Sequence, residues 1–250
     1  MKPPVLQHGR LMASLERALA ERFDLHGLWQ EADPKAFLAA HGHRFVGLAT
    51  SARFGADRAL IEALPKLAVI ASFGVGVDAI DLDAARERGV AVSNTPDVLT
   101  GCVADLAFGL LIDVARRLTA ADRFVRRGDW RKGQFPLARR VWGGNLGIVG
   151  LGRIGEAVAR RAGGFDMTVR YHNRRIIENC RYDYEASLPV LAAWADFLLV
   201  ACAGGAGTRH LVSREVIDAL GPDGFLVNVS RGSVVDDQAQ RRLVVEPALG

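Results

Sequence analysis

The sequence is poor in cysteine, with three among 250 residues and no Cys-x-x-Cys pair. Cys102, Cys180 and Cys202 lie far apart, so neither a disulfide framework nor a thiolate zinc site is indicated. This cysteine usage is typical of a reducing compartment, and we expect the chain to be cytoplasmic.

Long apolar runs are also missing. The longest, Leu106 to Ile112 and Val190 to Cys202, are short or interrupted by Asp196, well below the ~20 residues that span a bilayer. The first ten residues carry two prolines where the apolar core of a secretion signal would lie. We therefore expect neither export nor a membrane partner. Because hydrophobic residues make up 50% of the chain, a disordered protein is excluded as well.

Neither sign of charge predominates, since the net charge is only +4. The excess of positive charge is confined to one segment. Residues 113–140 contain nine arginines or lysines against three aspartates. No helix-turn-helix, zinc finger or aromatic-rich RNA motif accompanies them, so a solvated helix face is favoured over nucleic-acid binding. A basic interaction protein is kept as a weaker alternative.

What is present is an alternation of strand-length apolar runs with segments of helical spacing, which predicts an α/β fold with parallel sheets. The strands predicted first are Val5 to His8, Arg44 to Ala49, Leu67 to Phe73 and Val90 to Ser93, and the helices are Leu11 to Phe23, Asp57 to Leu64 and Leu82 to Arg88. A domain boundary is expected between Thr95 and Thr100, giving domains of residues 1–98 and 99–250.

The second domain is predicted to begin with a long helix from Asp105 to Arg117, followed by the basic stretch and a loop from Gly128 to Gly144. Its predicted strands are Leu146 to Val149, Met167 to His172, Phe197 to Ala201 and Phe225 to Val229, with a helix from Ile154 to Ala162.

Three glycines form a G-x-G-x-x-G pattern between the first strand and the helix of this domain. Gly150 permits a tight turn, Gly152 lets a pyrophosphate approach the backbone, and Gly155 lets the helix pack on the strand. In this context the pattern predicts a dinucleotide-binding turn, although a purely structural glycine turn is the alternative. The cofactor contacts expected from the turn are Gly150, Leu151, Gly152, Arg153, Ile154 and Gly155.

The end of the next strand indicates which dinucleotide binds. An Asp or Glu there accepts from the ribose 2′-hydroxyl of NAD, but this chain reads Asn173-Arg174-Arg175. Two guanidinium groups suit the 2′-phosphate of NADP instead. We expect NADP as the cofactor and keep NAD as the alternative, since two arginines after a strand are often only solvated.

Four ordered motifs lie between residue 40 and Gln238. They are Phe73-Gly-Val-Gly-Val-Asp78, Asn94-Thr-Pro-Asp-Val-Leu-Thr100 leading into Val103-Ala-Asp-Leu-Ala107, the glycine turn, and Val227-Asn-Val-Ser-Arg-Gly-Ser-Val-Val-Asp236. In order and spacing they resemble the D-isomer-specific 2-hydroxyacid dehydrogenases, most closely the NADP-preferring glyoxylate and hydroxypyruvate reductases, which also cover hydroxyphenylpyruvate. The resemblance implies a flavodoxin-like substrate domain followed by a Rossmann domain, a homodimer, and reduction of a small 2-keto acid to the D-2-hydroxy acid.

The resemblance also implies roles for single residues. The backbone of Val75 and Gly76 would receive the substrate carboxylate, and Val103 would lie against the nicotinamide. The further cofactor contacts implied are Cys202, Ala203 and Val229. The open alternatives are an ordinary glycine turn for the first pair and plain core packing for Val103, Cys202 and Ala203.

Arg231 is the expected catalytic and substrate-binding residue. It follows the strand that ends at Val229, at the edge of the sheet where open α/β sheets bind ligands. Its planar fork of donors suits the carboxylate and keto oxygen of a 2-keto acid. An arginine that is merely on the surface is the alternative.

Reduction of a ketone also needs a proton donor, commonly a histidine. In the family that histidine, paired with a glutamate, comes well after the arginine. The six histidines here all precede Arg231 outside that context: His8, His26, His41, His43, His172 and His210. We therefore expect a truncated Rossmann domain, incomplete at its C-terminus, with impaired turnover. The alternative is a non-catalytic dinucleotide-binding module or an inactive fragment.

Overall fold

The chain forms two compact units that meet in sequence between Val98 and Leu99. This computed structural model describes residues 2–236 and 238. The strands of the first unit are β1 (Pro4–Gln7), β2 (Asp24–Gly27), β3 (Gly47–Ser51), β4 (Val69–Phe73) and β5 (Ala91–Ser93). Its helices are α1 (Ala13–Arg22), α2 (Pro34–His41), α3 (Arg58–Glu62) and α4 (Leu82–Glu87). The strands form one parallel sheet in the order β2-β1-β3-β4-β5.

Aspartate side chains start three helices of the first unit. The carboxylates of Asp33, Asp57 and Asp81 accept hydrogen bonds from backbone N–H groups in the first turns of α2, α3 and α4. Such caps satisfy donors that a helix leaves unpaired, and each stabilises its helix by about 1 kcal/mol. The helices then pack on the sheet around the buried side chains of Leu48 and Ile70.

The sequence misses two elements of the first unit and misplaces one strand. Neither β2 nor α2 is predicted, and β2 contains an aspartate and a glycine, which are depleted in strands. It is a strand because it pairs with β1 along its whole length. The prediction of a strand beginning at Arg44 was wrong, since Gly42–Arg44 is a 3-10 turn and the strand begins at Gly47.

The second unit holds the remaining elements. Its helices are α5 (Thr100–Arg116), α6 (Leu118–Arg126), α7 (Arg153–Gly163), α8 (Leu188–Trp194) and α9 (Arg214–Leu220). Its strands are β6 (Asn145–Val149), β7 (Thr168–His172), β8 (Asp183–Tyr184), β9 (Phe197–Val200) and β10 (Phe225–Asn228). They form a parallel sheet in the order β10-β9-β6-β7-β8. The prediction of an α/β fold with parallel sheets is confirmed.

Two successive helices stand where one helix and a basic stretch are predicted. α5 begins at Thr100, before the predicted start at Asp105, and ends where Arg117 adopts a left-handed φ of 55°. α6 follows at once inside the basic segment. The Asp113 carboxylate accepts hydrogen bonds from the N–H and the hydroxyl of Thr119, each at 2.7 Å, and so ties α6 to α5. Besides α6, the sequence does not predict β8, α8 or α9.

Both faces of the second sheet are covered by helices. On one face, Leu146 and Ile148 of β6 pack in a core that includes residues of α5 and α7. On the other face, Val149 and Leu198 pack in a core with residues of α8 and α9. Open surface therefore remains at the carboxyl ends of the strands, where parallel α/β sheets place their ligands. Among the described residues, no helix has the length and apolar character needed to cross a membrane.

Candidate functional site

The turn after β6 requires a glycine at its first position. Gly150 has a φ of 97°, in the region that favours glycine, and a Cβ there would lie 2.5 Å from the Cα of Cys202. Its N–H donates to the carbonyl of His172 at 2.9 Å, which holds the turn against the end of β7. The turn is thus pressed between the ends of β7 and β9.

The next two glycines of the pattern meet opposite surroundings. A Cβ on Gly155 would lie 2.3 Å from the carbonyl oxygen of Gly150, so α7 crosses the turn at a distance that only glycine allows. A Cβ on Gly152 would meet nothing within 4 Å. Gly152 stands at the N-cap of α7, where backbone N–H groups and the helix dipole attract an anion. Open space therefore lies beside the N-terminus of α7, a place that suits an anion.

The end of β7 forms a second wall of the site. The side-chain oxygen of Asn173 accepts a hydrogen bond from the N–H of Leu151 at 2.8 Å, which joins this wall to the glycine turn. Arg174 and Arg175 follow and are exposed to solvent. Within the described part of the chain, no carboxylate forms an ion pair with either guanidinium, so both can pair with an anion in solution.

The segment after β9 forms a third wall. Cys202 and Ala203 lie there, and the hydroxyl of Thr208 donates to the carbonyl of Ala203 at 2.8 Å. Burial raises the pKa of the Cys202 thiol, which is thus mostly protonated at neutral pH. The segment closes the side of the site that faces away from β7.

The three walls enclose an open cleft of about 690 Å³. The residues of the expected cofactor set that line it are Gly150, Leu151, Gly152, Asn173, Arg174, Arg175, Cys202 and Ala203. The sequence did not single out Val149, His172, Ala201, Gly204, Gly207, Thr208 and Leu211, which also line it. A glycine-rich segment of small residues directly after a buried strand is the signal that points to several of these.

Five other expected contacts in the second unit do not line this cleft. Arg153 and Ile154 lie in the first turn of α7, and Val103 is half-buried in the first turn of α5. Val229 donates its N–H to the carbonyl of Val200 at 3.0 Å and so extends the pairing of β10 with β9. Gly155 is buried beneath the turn, where its role is packing.

Arg231 lies just after β10 and is half-buried. Its Nη1 donates to the carbonyl of Ser230 at 3.2 Å. The Asn228 side chain brackets the same turn, because its oxygen accepts from the N–H of Ser230 and its amide donates to the carbonyl of Arg231, both at 2.9 Å. Asn228 and Ser230 were not singled out from the sequence, although a polar residue ending an apolar strand marks such a turn.

The expected carboxylate-binding loop belongs to the first unit. It follows β4, and Gly74 has a φ of 137° there. The side chain of Asn94 donates to the carbonyl of Val75 at 2.7 Å, and the hydroxyl of Thr95 accepts from the N–H of Gly74 at 3.1 Å. The two residues after β5 therefore hold the backbone that contains Val75 and Gly76, a function that the sequence does not reveal.

Of the six histidines, His172 alone lines the cleft, and its Nδ1 lies 3.0 Å from the carbonyl of Glu185. Within the described residues, no group of three or more His, Cys, Asp or Glu side chains is arranged to hold a metal ion. The cleft is accordingly a surface of backbone amides, arginines and small side chains. It suits a phosphate-bearing ligand.

Comparison with known proteins agrees with this geometry. Residues 108–245 match the family model of the D-isomer specific 2-hydroxyacid dehydrogenase, NAD binding domain. The chain is 46% identical to hydroxyphenylpyruvate reductase of Plectranthus scutellarioides over 236 residues, which cover 94% of this chain and 75% of that protein. It is 42% identical to glyoxylate/hydroxypyruvate reductase A of Arabidopsis thaliana over 246 residues, covering 98% of this chain and 79% of the relative.

A solved structure is similar over nearly the whole chain. It is the NADPH-dependent glyoxylate/hydroxypyruvate reductase of Sinorhizobium meliloti, in complex with NADP and malonate, with a TM-score of 0.88 and 40% identity. The match covers 96% of this chain and 75% of that one. The sequence resemblance is confirmed, and the chain belongs to the D-isomer specific 2-hydroxyacid dehydrogenase family.

Proposed function

We propose that this chain reduces a small 2-keto acid, such as glyoxylate, hydroxypyruvate or the bulkier hydroxyphenylpyruvate, to the D-2-hydroxy acid with NADPH. The observation that carries the proposal is the cleft at the carboxyl ends of β6, β7 and β9, built on the glycine turn. The names of the relatives support the same substrate class.

The residues of the cleft fit a nicotinamide dinucleotide. Gly152 leaves open space at the start of α7, where the pyrophosphate is expected, and Arg174 and Arg175 offer two exposed guanidinium groups after β7. When bound, the nicotinamide supplies a hydride. By resemblance, Val103 is proposed to lie against its ring, and Cys202, Ala203 and Val229 are proposed as further cofactor contacts.

NADP is the proposed cofactor rather than NAD. No Asp or Glu stands at the end of β7 to accept from a ribose 2′-hydroxyl, and the S. meliloti relative holds NADP. The test is the double variant Arg174→Ala, Arg175→Ala. NADPH affinity should fall roughly 10- to 100-fold while NADH affinity stays within about threefold, because charge-assisted bonds to the 2′-phosphate are lost.

The matched control removes two exposed arginines from α1, Arg17→Ala with Arg22→Ala, which changes the net charge equally. Fluorescence titration of the reduced nucleotides measures all three proteins. Equal wild-type affinity for NADH and NADPH, or an equal loss in the control, would refute the assignment to NADP.

Substrate binding is assigned to two sets of donors. The guanidinium of Arg231 would pair with the carboxylate and the keto oxygen, orienting the carbonyl carbon and stabilising the negative charge that develops on oxygen. The backbone N–H groups of Val75 and Gly76, held by Asn94, would bind the carboxylate as well.

We also propose that the 250-residue chain turns over slowly. None of its histidines lies in the sequence context of the family's proton donor. Loss of a general acid typically lowers the rate by roughly 10²–10⁴-fold. The alternative is a dinucleotide-binding module without turnover.

The test is to mix the purified chain with NADPH and glyoxylate or hydroxypyruvate and follow the absorbance of the reduced nicotinamide. Turnover of roughly 1–10³ per second would contradict the slow rate, and NADPH binding with no turnover favours the module.

A homodimer is proposed from the exposed face of α5. Four apolar side chains spaced four residues apart are exposed along it and the start of α6: Leu106 59%, Leu110 37%, Val114 42% and Leu118 51%. A face of this kind typically marks a protein interface, and a second copy of this chain would cover it. The variant Leu106→Glu, Leu110→Glu should sediment as a monomer, whereas Val190→Glu on α8, equally exposed, should not change the mass.

A cytoplasmic location is proposed from the cysteines. All three thiols are free, and Cys102 is exposed, a state that a reducing compartment preserves. Fractionation of cells that produce the chain, with antibody detection, tests this placement, and recovery from an oxidising compartment would contradict it.

A further inference from the structure

A single amide side chain forms hydrogen bonds to both sides of the turn after β10. Asn228 accepts from the N–H of Ser230 and donates to the carbonyl of Arg231, each at 2.9 Å. The two bonds hold the peptide groups before and after the one that joins Ser230 to Arg231, so they restrain the orientation of the peptide between them. An amide provides the donor and the acceptor together, which a carboxylate of the same shape does not.

Two further bonds tie this turn to the strand beside it, which borders the cleft. The hydroxyl of Ser230 donates to the carbonyl of Cys202 at 2.5 Å, and Cys202 lines the cleft after β9. The N–H of Val229 also donates to the carbonyl of Val200 at 3.0 Å. The segment that contains Arg231 is therefore fastened both to its own strand and to the neighbouring strand.

The guanidinium of Arg231 is linked to the same turn. Its Nη1 donates to the carbonyl of Ser230 at 3.2 Å, and the carbonyl of Arg231 accepts from the N–H of Val234 at 3.1 Å as well as from Asn228. A rotation of the Ser230–Arg231 peptide would displace the Cα of Arg231. It would also displace the Ser230 carbonyl, which accepts a hydrogen bond from the guanidinium. Asn228 and Ser230 thus restrain the backbone from which Arg231 extends, and Ser230 supplies one of the hydrogen-bond partners of its guanidinium.

We propose that Asn228 and Ser230 are positioning residues that hold Arg231 for the carboxylate of a 2-keto acid. This inference rests on the function proposed above. A guanidinium that is already in place loses little conformational freedom when an anion binds. Displacing the turn should therefore weaken anion binding more than it destabilises the fold. The nucleotide, which is assigned to the glycine turn, should be affected far less.

The test uses the full chain saturated with NADPH and oxamate as the probe, a 2-keto acid analogue that does not accept a hydride. Asn228→Asp keeps the size and the acceptor but loses the donor to Arg231, and Ser230→Ala loses the bond to Cys202. Calorimetry should show a roughly tenfold weaker Kd for oxamate in each, the effect of one lost hydrogen bond. The Kd for NADPH should stay within about twofold.

Two variants complete the design. Ser230→Thr keeps the hydroxyl and should restore oxamate affinity, and Gln30→Glu is an exposed amide-to-carboxylate control in the first unit. If Asn228→Asp does not fold, the Ser230→Ala and Ser230→Thr pair decides. Unchanged oxamate binding in both loss variants, or an equal loss of oxamate and NADPH affinity with a lowered Tm, overturns the positioning role.

Failure of the proposed function has a different signature. If the unmodified chain binds NADPH but not oxamate, and Arg231→Lys changes nothing, the 2-keto acid assignment fails and the positioning role fails with it. If oxamate binds and Arg231→Lys abolishes binding while Asn228→Asp and Ser230→Ala leave it intact, only the positioning role is overturned.

Discussion

At the scale of single residues, the three glycines of the turn after β6 have separable functions. Gly150 and Gly155 are required by the folded chain itself, because a Cβ at either would overlap backbone atoms. Gly152 has a φ of −93°, which any residue adopts, and open space beside it. The fold therefore does not require glycine at this position, which agrees with the close approach of a pyrophosphate proposed above.

This distinction predicts opposite outcomes for two alanine variants. Gly152→Ala should keep the Tm within about 2 °C. It should weaken NADPH binding at least roughly tenfold, because the new methyl group fills space that a pyrophosphate would use. Gly150→Ala should lower the free energy of unfolding by about 2 kcal/mol or more, because of the positive φ of Gly150 and the close contact of a Cβ with Cys202. Thermal melts with and without NADPH measure both. A Gly152→Ala protein that melts early in the absence of nucleotide would contradict the assignment.

The thiol of Cys202 gives a second prediction, on pH. Burial raises its pKa, so the reactive thiolate should form only above the pH at which an ordinary thiol, with a pKa of about 8.5, ionises. Alkylation by iodoacetamide, followed on the Cys202 peptide by mass spectrometry, should be slow at pH 7 and rise at higher pH. NADPH should slow it further. A rate that levels off below pH 8, or that ignores NADPH, would be inconsistent with a half-buried thiol in the cleft.

At the scale of elements, the junction of α5 and α6 shows how one carboxylate ends one helix and starts another. α5 stops at Arg117 in the left-handed conformation, and Asp113 caps the first turn of α6 through Thr119. These bonds, the Thr119 hydroxyl first, lower the pKa of the Asp113 carboxyl. The break between the helices is thus specified locally.

Asp113→Asn should destabilise the chain by roughly 1 kcal/mol at pH 7, the usual value of a helix cap. Because the folded pKa lies below the unfolded value of about 3.9, the stabilisation by Asp113 is present above that value and lost as pH falls through the folded pKa. Urea unfolding at pH 7 and at low pH measures the difference, which should shrink on acidification. Asp83→Asn, at an exposed pair with Arg86, should stay within about 0.5 kcal/mol. A pH-independent penalty would point to a cause other than ionisation.

The sequence predicts most strands of both units because they are apolar runs bounded by turn residues. It fails at β2, where pairing with β1 overrides poor strand propensity, and at α6, whose basic composition conceals a helix. The glycine turn is predictable because its spacing is dictated by close backbone contacts. The sequence marks turns near Asn228 and Thr208, but the hydrogen bonds of these two side chains are not predictable, since they depend on a turn geometry that spacing alone does not specify.

At the scale of the whole molecule, the cleft lies entirely within the second unit, on backbone that belongs to the ends of three parallel strands. Nucleotide binding should therefore act on one unit first. Ligand that binds the native state stabilises it by mass action, by about 2.7 kcal/mol at one hundred times its Kd.

Hydrogen exchange should reveal this uneven response. NADPH is expected to slow exchange most in the segment from Gly150 to Glu156 and in residues 201–208, with little change in β1 and β2. Mass spectrometry of peptic peptides with and without the nucleotide resolves the two units. Equal protection of β1 and the glycine turn would show that the units respond as one body.

The exposed pair Arg174 and Arg175 carries a consequence for how coenzyme choice can change. Because both guanidinium groups lie in solvent and form no ion pair with a described carboxylate, their replacement leaves no buried charge unpaired and opens no cavity. Under the role proposed for these arginines, selectivity between NADPH and NADH is separated from folding stability in this chain. An engineer, or natural variation, can exchange these two residues repeatedly without compensating changes in the core.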